Sequence, residues 1–258
     1  MSYNCYNYYK FYICCIKLIK LHTINSTNDY LKKYVLSNKL EDFTVVVADN
    51  QTNGKGQMGA VWSSNPSENL TFSVYLSTSF ISLQDLFYLN CVVALSLYNI
   101  LSKLSVPKPS IKWPNDILSS SKKVSGVLIE NIVKSNKDSY SIIGIGLNVN
   151  QQTFSGLSKA TSLKNITGEN YNLDELLMLI IMEFKKQFRQ IIRGDFKAIH
   201  KSYEEVLFRK NKPSTFKNIE GLMFPGIIKG VNNYGNLLVY TEDEIIKEFR
   251  LKELSLQY

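Results

Sequence analysis

The sequence predicts an α+β fold with a small C-terminal all-β module. Three observations lead there. Short β-branched runs separate a few long amphipathic helical stretches. A hydrophobic content of 45% over 258 residues is enough for one sizeable core plus a small second domain. After Lys212-Pro213 the chain turns to short alternating runs broken by turn residues.

In chain order, residues 1–18 form a Tyr- and Cys-rich extension, expected to be poorly ordered. Ser26, Thr27, Asn28 and Asp29 offer capping side chains to a helix with Tyr30, Leu31, Tyr34 and Val35 at helical spacing. Strands are expected near 44–49 and 70–77. A helix near 83–104 follows, with Leu86, Leu89, Val93, Leu97 and Leu101 on one face. Residues 110–113, 124–132 and 141–147 read as further strands. Asn172 or Asp174 caps a helix to about Ile192 whose apolar stripe is Leu177, Ile181, Phe184, Phe188 and Ile191. Another helix is expected over 195–208. Beyond it, the runs at 226–231 and 237–240 flank Asn232-Asn233-Tyr234-Gly235-Asn236, the pattern of a hairpin in a small barrel.

Composition excludes several function classes. The net charge of +8 is carried almost entirely by lysine, since only Arg189, Arg193, Arg209 and Arg250 are arginines. Arginine is the usual bidentate reader of bases and phosphates, so this charge reads as a solvated surface and no nucleic-acid partner is expected. Cys5, Cys14, Cys15 and Cys91 make neither a disulfide framework nor, with His22, a common zinc spacing. Cys91, in an apolar helical run, reads as a buried small hydrophobe. No apolar stretch approaches the roughly 20 residues that span a bilayer, so no membrane association is expected and a cytoplasmic setting is the default.

Gly54, Gly56 and Gly59 match the G-x-G-x-x-G spacing of a dinucleotide turn, and Val45-Val46-Val47-Ala48 reads as the strand before it. That turn needs a helix straight after the glycines. Here Trp62 leads through Ser63-Ser64-Asn65-Pro66 into the alternating run Leu70 to Tyr75, another strand. The glycines therefore belong to a strand–loop–strand flap, whose N–H groups and Lys55 can wrap an anion.

Five segments stand in order: Ser26-Thr27-Asn28; Gln51 with Gly54-Lys55-Gly56-Gln57-Met58-Gly59 and Trp62; Lys112-Trp113-Pro114-Asn115-Asp116; Lys123, Gly126 and Glu130; and Gly144-Ile145-Gly146-Leu147-Asn148-Val149-Asn150. Jointly they resemble biotin protein ligases from about residue 18 to the C-terminus, and the Lys-Trp-Pro-Asn-Asp run is the most specific piece. The resemblance implies a mixed-sheet catalytic domain of the biotin/lipoate ligase type over 19–211 and a small SH3-like β-barrel over 212–258. It implies two steps: the carboxylate of biotin attacks the α-phosphate of ATP, then a lysine of a carrier protein attacks the biotinyl-adenylate. The expected acceptor is the biotin carboxyl carrier domain of an acyl-CoA carboxylase. ATP and Mg²⁺ act as co-substrate and ion, with no tightly bound prosthetic group, and a homodimer is left open.

By the same resemblance, Ser26, Thr27, Asn28 and Gln51 contact biotin, and Gly54, Lys55, Gly56 and Gln57 form the flap over the adenylate. Trp62 borders the nucleotide. Lys112 holds phosphate, Asn115 and Asp116 hold Mg²⁺ or ribose, Asn148 sits on the ATP side, and Lys123 meets the biotin carboxyl and the reacting phosphate. Gly126, Gly144 and Gly146 permit close backbone approach to ligand. The bland alternatives are helix capping for Ser26 to Asn28, core packing for Trp62 and a surface pair for Lys112 and Asp116.

The chemistry suits the residues, because two histidines and no paired catalytic carboxylates leave little acid–base machinery. Alignment can supply roughly 7–11 kcal/mol in ideal cases, and fixed cations supply charge stabilisation. Two departures stand out. The family flap often has arginines where this chain has Lys55 and Gln57, so looser retention of the adenylate is expected. Only 25 residues precede Ser26, too few for the helix-turn-helix of repressor members, which reads as the monofunctional class. The rivals are a lipoate or octanoate transferase, a non-enzymatic biotin- or nucleotide-binding regulator, and a nucleic-acid module.

Overall fold

The computed structural model describes residues 16–133 and 139–258. The expected extension lies almost wholly outside them, as do Cys5, Cys14 and Cys15. The described residues group into two compact units, one reaching Phe80 and resuming over Val124–Glu183, the other Ile81–Lys123 with Phe184–Tyr258. The expected boundary at 211/212 falls inside the second unit.

The first unit carries β1 (Leu18–Ile24), α1 (Thr27–Ser37), β2 (Thr44–Gln51) and β3 (Leu70–Ser77). Most of β6 (Lys122–Ile132), with β7 (Tyr140–Leu147) and a short helix α3 (Leu163–Thr167), completes it. Its strands lie in the order β1-β2-β3-β7-β6. β1 and β2 run parallel and the remaining neighbours antiparallel, so the sheet is mixed as predicted. α1 lays Leu31 against Val46, Tyr140 and Ile142, with Ile19, Leu21 and Val35 packed around them. Its N-cap is Ser26, whose hydroxyl accepts from Asp29 N at 3.4 Å. The predicted cap is therefore present, while Thr27 and Asn28 beside it are used otherwise.

The second unit carries α2 (Leu86–Lys103), the hairpin β4 (Pro109–Lys112) and β5 (Asp116–Ser119), and α5 (Phe196–Glu205). It ends in β8 (Pro213–Asn218), β9 (Met223–Val231), β10 (Leu237–Thr241), β11 (Ile246–Phe249) and β12 (Leu254–Gln257). α4 (Leu173–Arg193) begins in the first unit and ends in this one. Its cap is Asn172, which accepts from Asp174 N and Glu175 N at 3.0 and 3.2 Å. The predicted stripe Leu177, Ile181, Phe184, Phe188 and Ile191 is buried.

Two expectations need correction. With its preceding turn, α2 forms an apolar helix over Leu83–Lys103, long enough by length and composition to cross a membrane. It is nevertheless a core helix, with Leu89, Val93, Leu97, Leu101 and Cys91 all 0–1% exposed. Burial pushes the Cys91 thiol well above its ordinary value. The predicted C-terminal barrel is an antiparallel sheet of order β11-β10-β9-β8-β12. Among the described residues no ladder joins its outer strands, which at four residues each offer few ladder bonds.

Glu204 ties α5 to the C-terminal sheet. It accepts from Lys210 Nζ at 2.7 Å and from Val231 N at 2.9 Å, and lies 3.3 Å from His200 Nε2. Gly230 makes room for it, since a Cβ there would fall 1.9 Å from Glu204 Oε1. Burial alone would raise this carboxyl, but the Lys210 and Val231 hydrogen bonds outweigh burial and hold it below its ordinary value. Glu204→Ala should lower stability by about 1–3 kcal/mol, read as a drop in Tm at neutral pH. Because the folded pKa is depressed, that contribution is present above the ordinary glutamate value near about 4.3 and fades as pH falls through the folded value. The two melting curves should therefore converge in acid.

Candidate active site

In the first unit a polar chain runs from the start of α1 across the sheet. Thr27 donates its N–H and its hydroxyl to Gln51 Oε1 at 2.8 and 3.1 Å. Ser73 Oγ is within hydrogen-bond distance of Thr27 Oγ1, at 2.7 Å, and of Asn28 Oδ1, at 2.5 Å. Asn28 Nδ2 donates to Glu130 Oε2 at 2.8 Å. Ser26, Thr27, Asn28 and Ser73 are 0–4% exposed, so these hydroxyls and amides are fixed in a dry setting where each polar atom is costly to displace.

At one end of this chain the side groups are charged. Glu130 pairs with Lys32 at 2.6 Å, Lys32 lies 3.5 Å from Asp29, and Asp29 pairs with Lys55 of the flap at 2.5 Å. For Asp29, burial would raise the carboxyl, but the hydrogen bond and charge of Lys55, with those of Lys32, hold it below the usual range. Burial likewise lowers Lys32, and the bonds to Glu130 and Asp29 overcome it and leave the ammonium above its ordinary value.

The flap is folded. Trp62 N donates to Gly54 O at 2.9 Å and Gly56 N to Ala60 O at 2.7 Å, with a 3₁₀ turn at Gln57–Gly59 between them. Met58 (φ 55) and Gly59 (φ 84) sit in the left-handed region, and a Cβ on Gly54 would fall 2.3 Å from Trp62 O. The strand–loop–strand reading therefore holds, and no helix follows the glycines. The tip exposes Met58 and Val61.

Two of the expected site glycines make room for side chains of the protein itself. A Cβ on Gly144 would lie 2.5 Å from Asn28 Oδ1, and one on Gly146 would lie 2.3 Å from Cε2 of Trp62. They admit side chains of this protein: one seats Asn28, the other the Trp62 indole. Gly126 pairs with Gly146 across β6 and β7. Asn148 is 4% exposed and donates Nδ2 to Thr161 O at 3.0 Å, so its amide nitrogen is committed to the turn after β7.

The second unit brings Lys112 and Asp116 of the Lys-Trp-Pro-Asn-Asp segment together with Lys123. Lys112 and Asp116 are cross-strand partners in the β4–β5 hairpin. Asp116 stands between two cations, with Oδ2 3.5 Å from Lys112 Nζ and Oδ1 2.6 Å from Lys123 Nζ. All three are partly buried, so the charges are less screened than an exposed pair would be. The Trp-Pro insertion has a structural reason. Trp113 Nε1 donates to Gly235 O at 2.8 Å, and Pro114 O accepts from Asn90 Nδ2 at 3.0 Å and Tyr203 OH at 3.3 Å. The Trp113–Pro114 peptide is cis, and Asn115 is 8% exposed. The turn carrying Lys112 and Asp116 is thus held by α2, α5 and the β9–β10 loop. Lys122, beside Lys123, is exposed.

Sequence reasoning passes over Lys32 and Ser73, reads Asp29 only as a capping side chain, and gives Glu130 no role. A serine fully buried in the apolar run of β3 was one available signal, and the i,i+3 spacing of Asp29 and Lys32 on α1 another.

The model of the Biotin/lipoate A/B protein ligase family matches residues 21–148. The Bifunctional ligase/repressor BirA of Bacillus subtilis (strain 168) is 30% identical over 230 residues, 88% of this chain and 70% of its own length. The chain belongs to that family. The Biotin–[acetyl-CoA-carboxylase] ligase of Mycobacterium tuberculosis is 28% identical over 144 residues, 55% of this chain and 52% of its own. Among solved structures, the biotin protein ligase from Aquifex aeolicus in complex with biotin and ATP superposes with a TM-score of 0.78 at 30% identity. That match covers 93% of this chain and 98% of the Aquifex chain.

Proposed function

We propose that this chain is a biotin–protein ligase, joining biotin to a lysine of an acyl-CoA carboxylase carrier domain at the expense of ATP. The observation that carries the reading is Asp116, of the Lys-Trp-Pro-Asn-Asp segment, held between Lys112 and Lys123. Two anions, a carboxylate and a triphosphate, must meet, and fixed ammonium groups lower that repulsion without reorganising during the reaction.

In the first step a carboxylate oxygen of biotin forms a bond to the α-phosphorus, and the bond to the bridging oxygen breaks to release diphosphate. In the second, the carrier lysine's neutral amine attacks the acyl carbon, AMP leaves, and the amine proton passes to solvent. Lys123 meets the reacting carboxyl and α-phosphate, and Lys112 holds the outgoing phosphates. Thr27, Asn28 and Gln51 present fixed donors and acceptors to the ureido ring of biotin, and Lys55 carries charge on the flap. Trp62 borders the nucleotide.

Among the described residues no group of three or more His, Cys, Asp or Glu is gathered as a metal site. A lone carboxylate suits Mg²⁺ delivered on the triphosphate, which keeps most of its waters and takes one or two protein oxygens. Asp116, with Asn115 beside it, would hold the ion, and bound Mg²⁺ would offset phosphate charge. The proposed division is a catalytic domain over 19–211 and a C-terminal module over 212–258, supported by the sheet that starts at Pro213.

The test is incubation with ATP, Mg²⁺, biotin and a carrier domain, read as the mass of the carrier. A biotin adduct with wild type and none with Lys123→Ala supports the reading. An adduct formed from lipoate and not from biotin hands it to a lipoate ligase. The lysine flap carries its own expectation: Lys55→Arg should slow release of labelled biotinyl-adenylate in a pulse-chase, because a guanidinium fork grips an anion at two points. Equal release by both proteins refutes it.

A further inference from the structure

The second unit contains an aromatic contact at the lysine cluster that the proposed reaction does not use. The Tyr258 ring lies under the Lys112 ammonium, 5.5 Å from centroid to Nζ. It is held there by Phe208, edge-on at 5.2 Å, and Phe208 follows α5 with its N–H donated to Ile111 O at 2.8 Å. Ile111 is the β4 neighbour of Lys112. The ring is thus fastened through Phe208 to the strand that carries the lysine. Burial, with the nearby Asp116 charge, raises the Tyr258 hydroxyl above its ordinary value. The phenol therefore stays neutral, and its ring face acts on the lysine.

The geometry points to Tyr258 as a positioning residue for the nucleotide, fixing Lys112 by a cation–π contact so that the ammonium is aimed before ATP arrives. The inference rests on the reading of Lys112 as a phosphate ligand. A lysine has four rotatable bonds, and contacts to both an aromatic face and the Asp116 carboxylate restrict where its ammonium can sit. Losing the ring frees the lysine while leaving its charge in place. Nucleotide binding then suffers more than the chemical step, and biotin binding does not change.

The experiment is biotin-dependent exchange of labelled diphosphate into ATP by the full chain, comparing wild type, Tyr258→Phe, Tyr258→Ala, Lys112→Ala and the Lys112→Ala/Tyr258→Ala pair. An exposed to half-buried cation–π contact is worth roughly three- to thirtyfold in affinity, so Tyr258→Ala should raise the KM for ATP within that range while kcat and the biotin Kd stay put. Tyr258→Phe keeps the ring and should match wild type. In the Lys112→Ala background, removal of Tyr258 should have no further effect on KM for ATP. Wild-type KM in Tyr258→Ala overturns the proposal, as does a loss of equal size in Tyr258→Phe, or additive losses in the pair. If Lys112→Ala itself leaves the KM for ATP unaltered, the reading of Lys112 as a phosphate ligand has failed, and that outcome is separable from the others. A uniform loss with a fall in Tm shared by Tyr258→Phe marks a packing role and also overturns it.

Discussion

Lys123→Ala is expected to slow biotinyl-adenylate formation by about 10²–10³, while biotin still binds within a few-fold of wild type. The size follows from what the ammonium does. It neutralises charge that builds as a carboxylate oxygen approaches phosphorus, a demand far larger in the transition state than in either bound reactant. In the resting site its partner is Asp116 at 2.6 Å. Deleting the cation therefore also leaves a partly buried carboxylate facing phosphate, with Lys112 at 3.5 Å to offset it in part. A second variant separates the two effects: Lys123→Arg keeps a cation beside Asp116 and should bind nucleotide as wild type does while recovering only part of the rate. Single-turnover measurement of labelled adenylate reads both quantities. A rate within threefold of wild type would mean that the lysine faces neither reactant.

Gly146→Ala is expected to be strongly damaging in the first unit. The added methyl would stand 2.3–2.7 Å from three atoms of the Trp62 indole, so the ring must leave its seat. Overpacking of this kind costs typically about 1–3 kcal/mol, read as a lower Tm. Trp62 is also tied to the flap, its N–H donating to Gly54 O at 2.9 Å, so a displaced ring carries the flap base with it. We therefore expect the KM for ATP to rise by about tenfold or more, in line with the 1.4 kcal/mol that each decade represents. Gly146→Ala/Trp62→Ala should recover much of the lost stability but not the KM. A single variant with unchanged melting and unchanged KM would show that the indole has room to move without consequence.

Much of this was legible because local chemistry forced it. A strand, a glycine loop and a second strand excluded a dinucleotide turn, and β2, the flap and β3 follow that order. Lys112 and Asp116 flank a Trp-Pro pair that makes sense only as an anchored turn, and the structure anchors it through Gly235, Asn90 and Tyr203. The amphipathic stripe of α4 was readable because its burial follows helical period.

What stayed hidden depends on partners far away in the chain. The tasks of Gly144 and Gly146 are set by Asn28 and Trp62, and no local pattern distinguishes room for a side chain from room for a ligand. The chain Lys55–Asp29–Lys32–Glu130 joins a flap, a helix and a strand, so its members read separately as surface charges. β5 is four residues long and lies between a turn and a lysine pair, too short for alternation to register. β1 follows the Cys-rich segment and was overlooked, although its sequence Leu-Ile-Lys-Leu-His-Thr-Ile is strand-like.

The most direct test of the account is diphosphate exchange into ATP by the wild-type chain, run with biotin, with lipoate and with neither. Exchange that depends on biotin alone is the predicted result. Exchange supported by lipoate, or none with any acid while ATP binds, would contradict it.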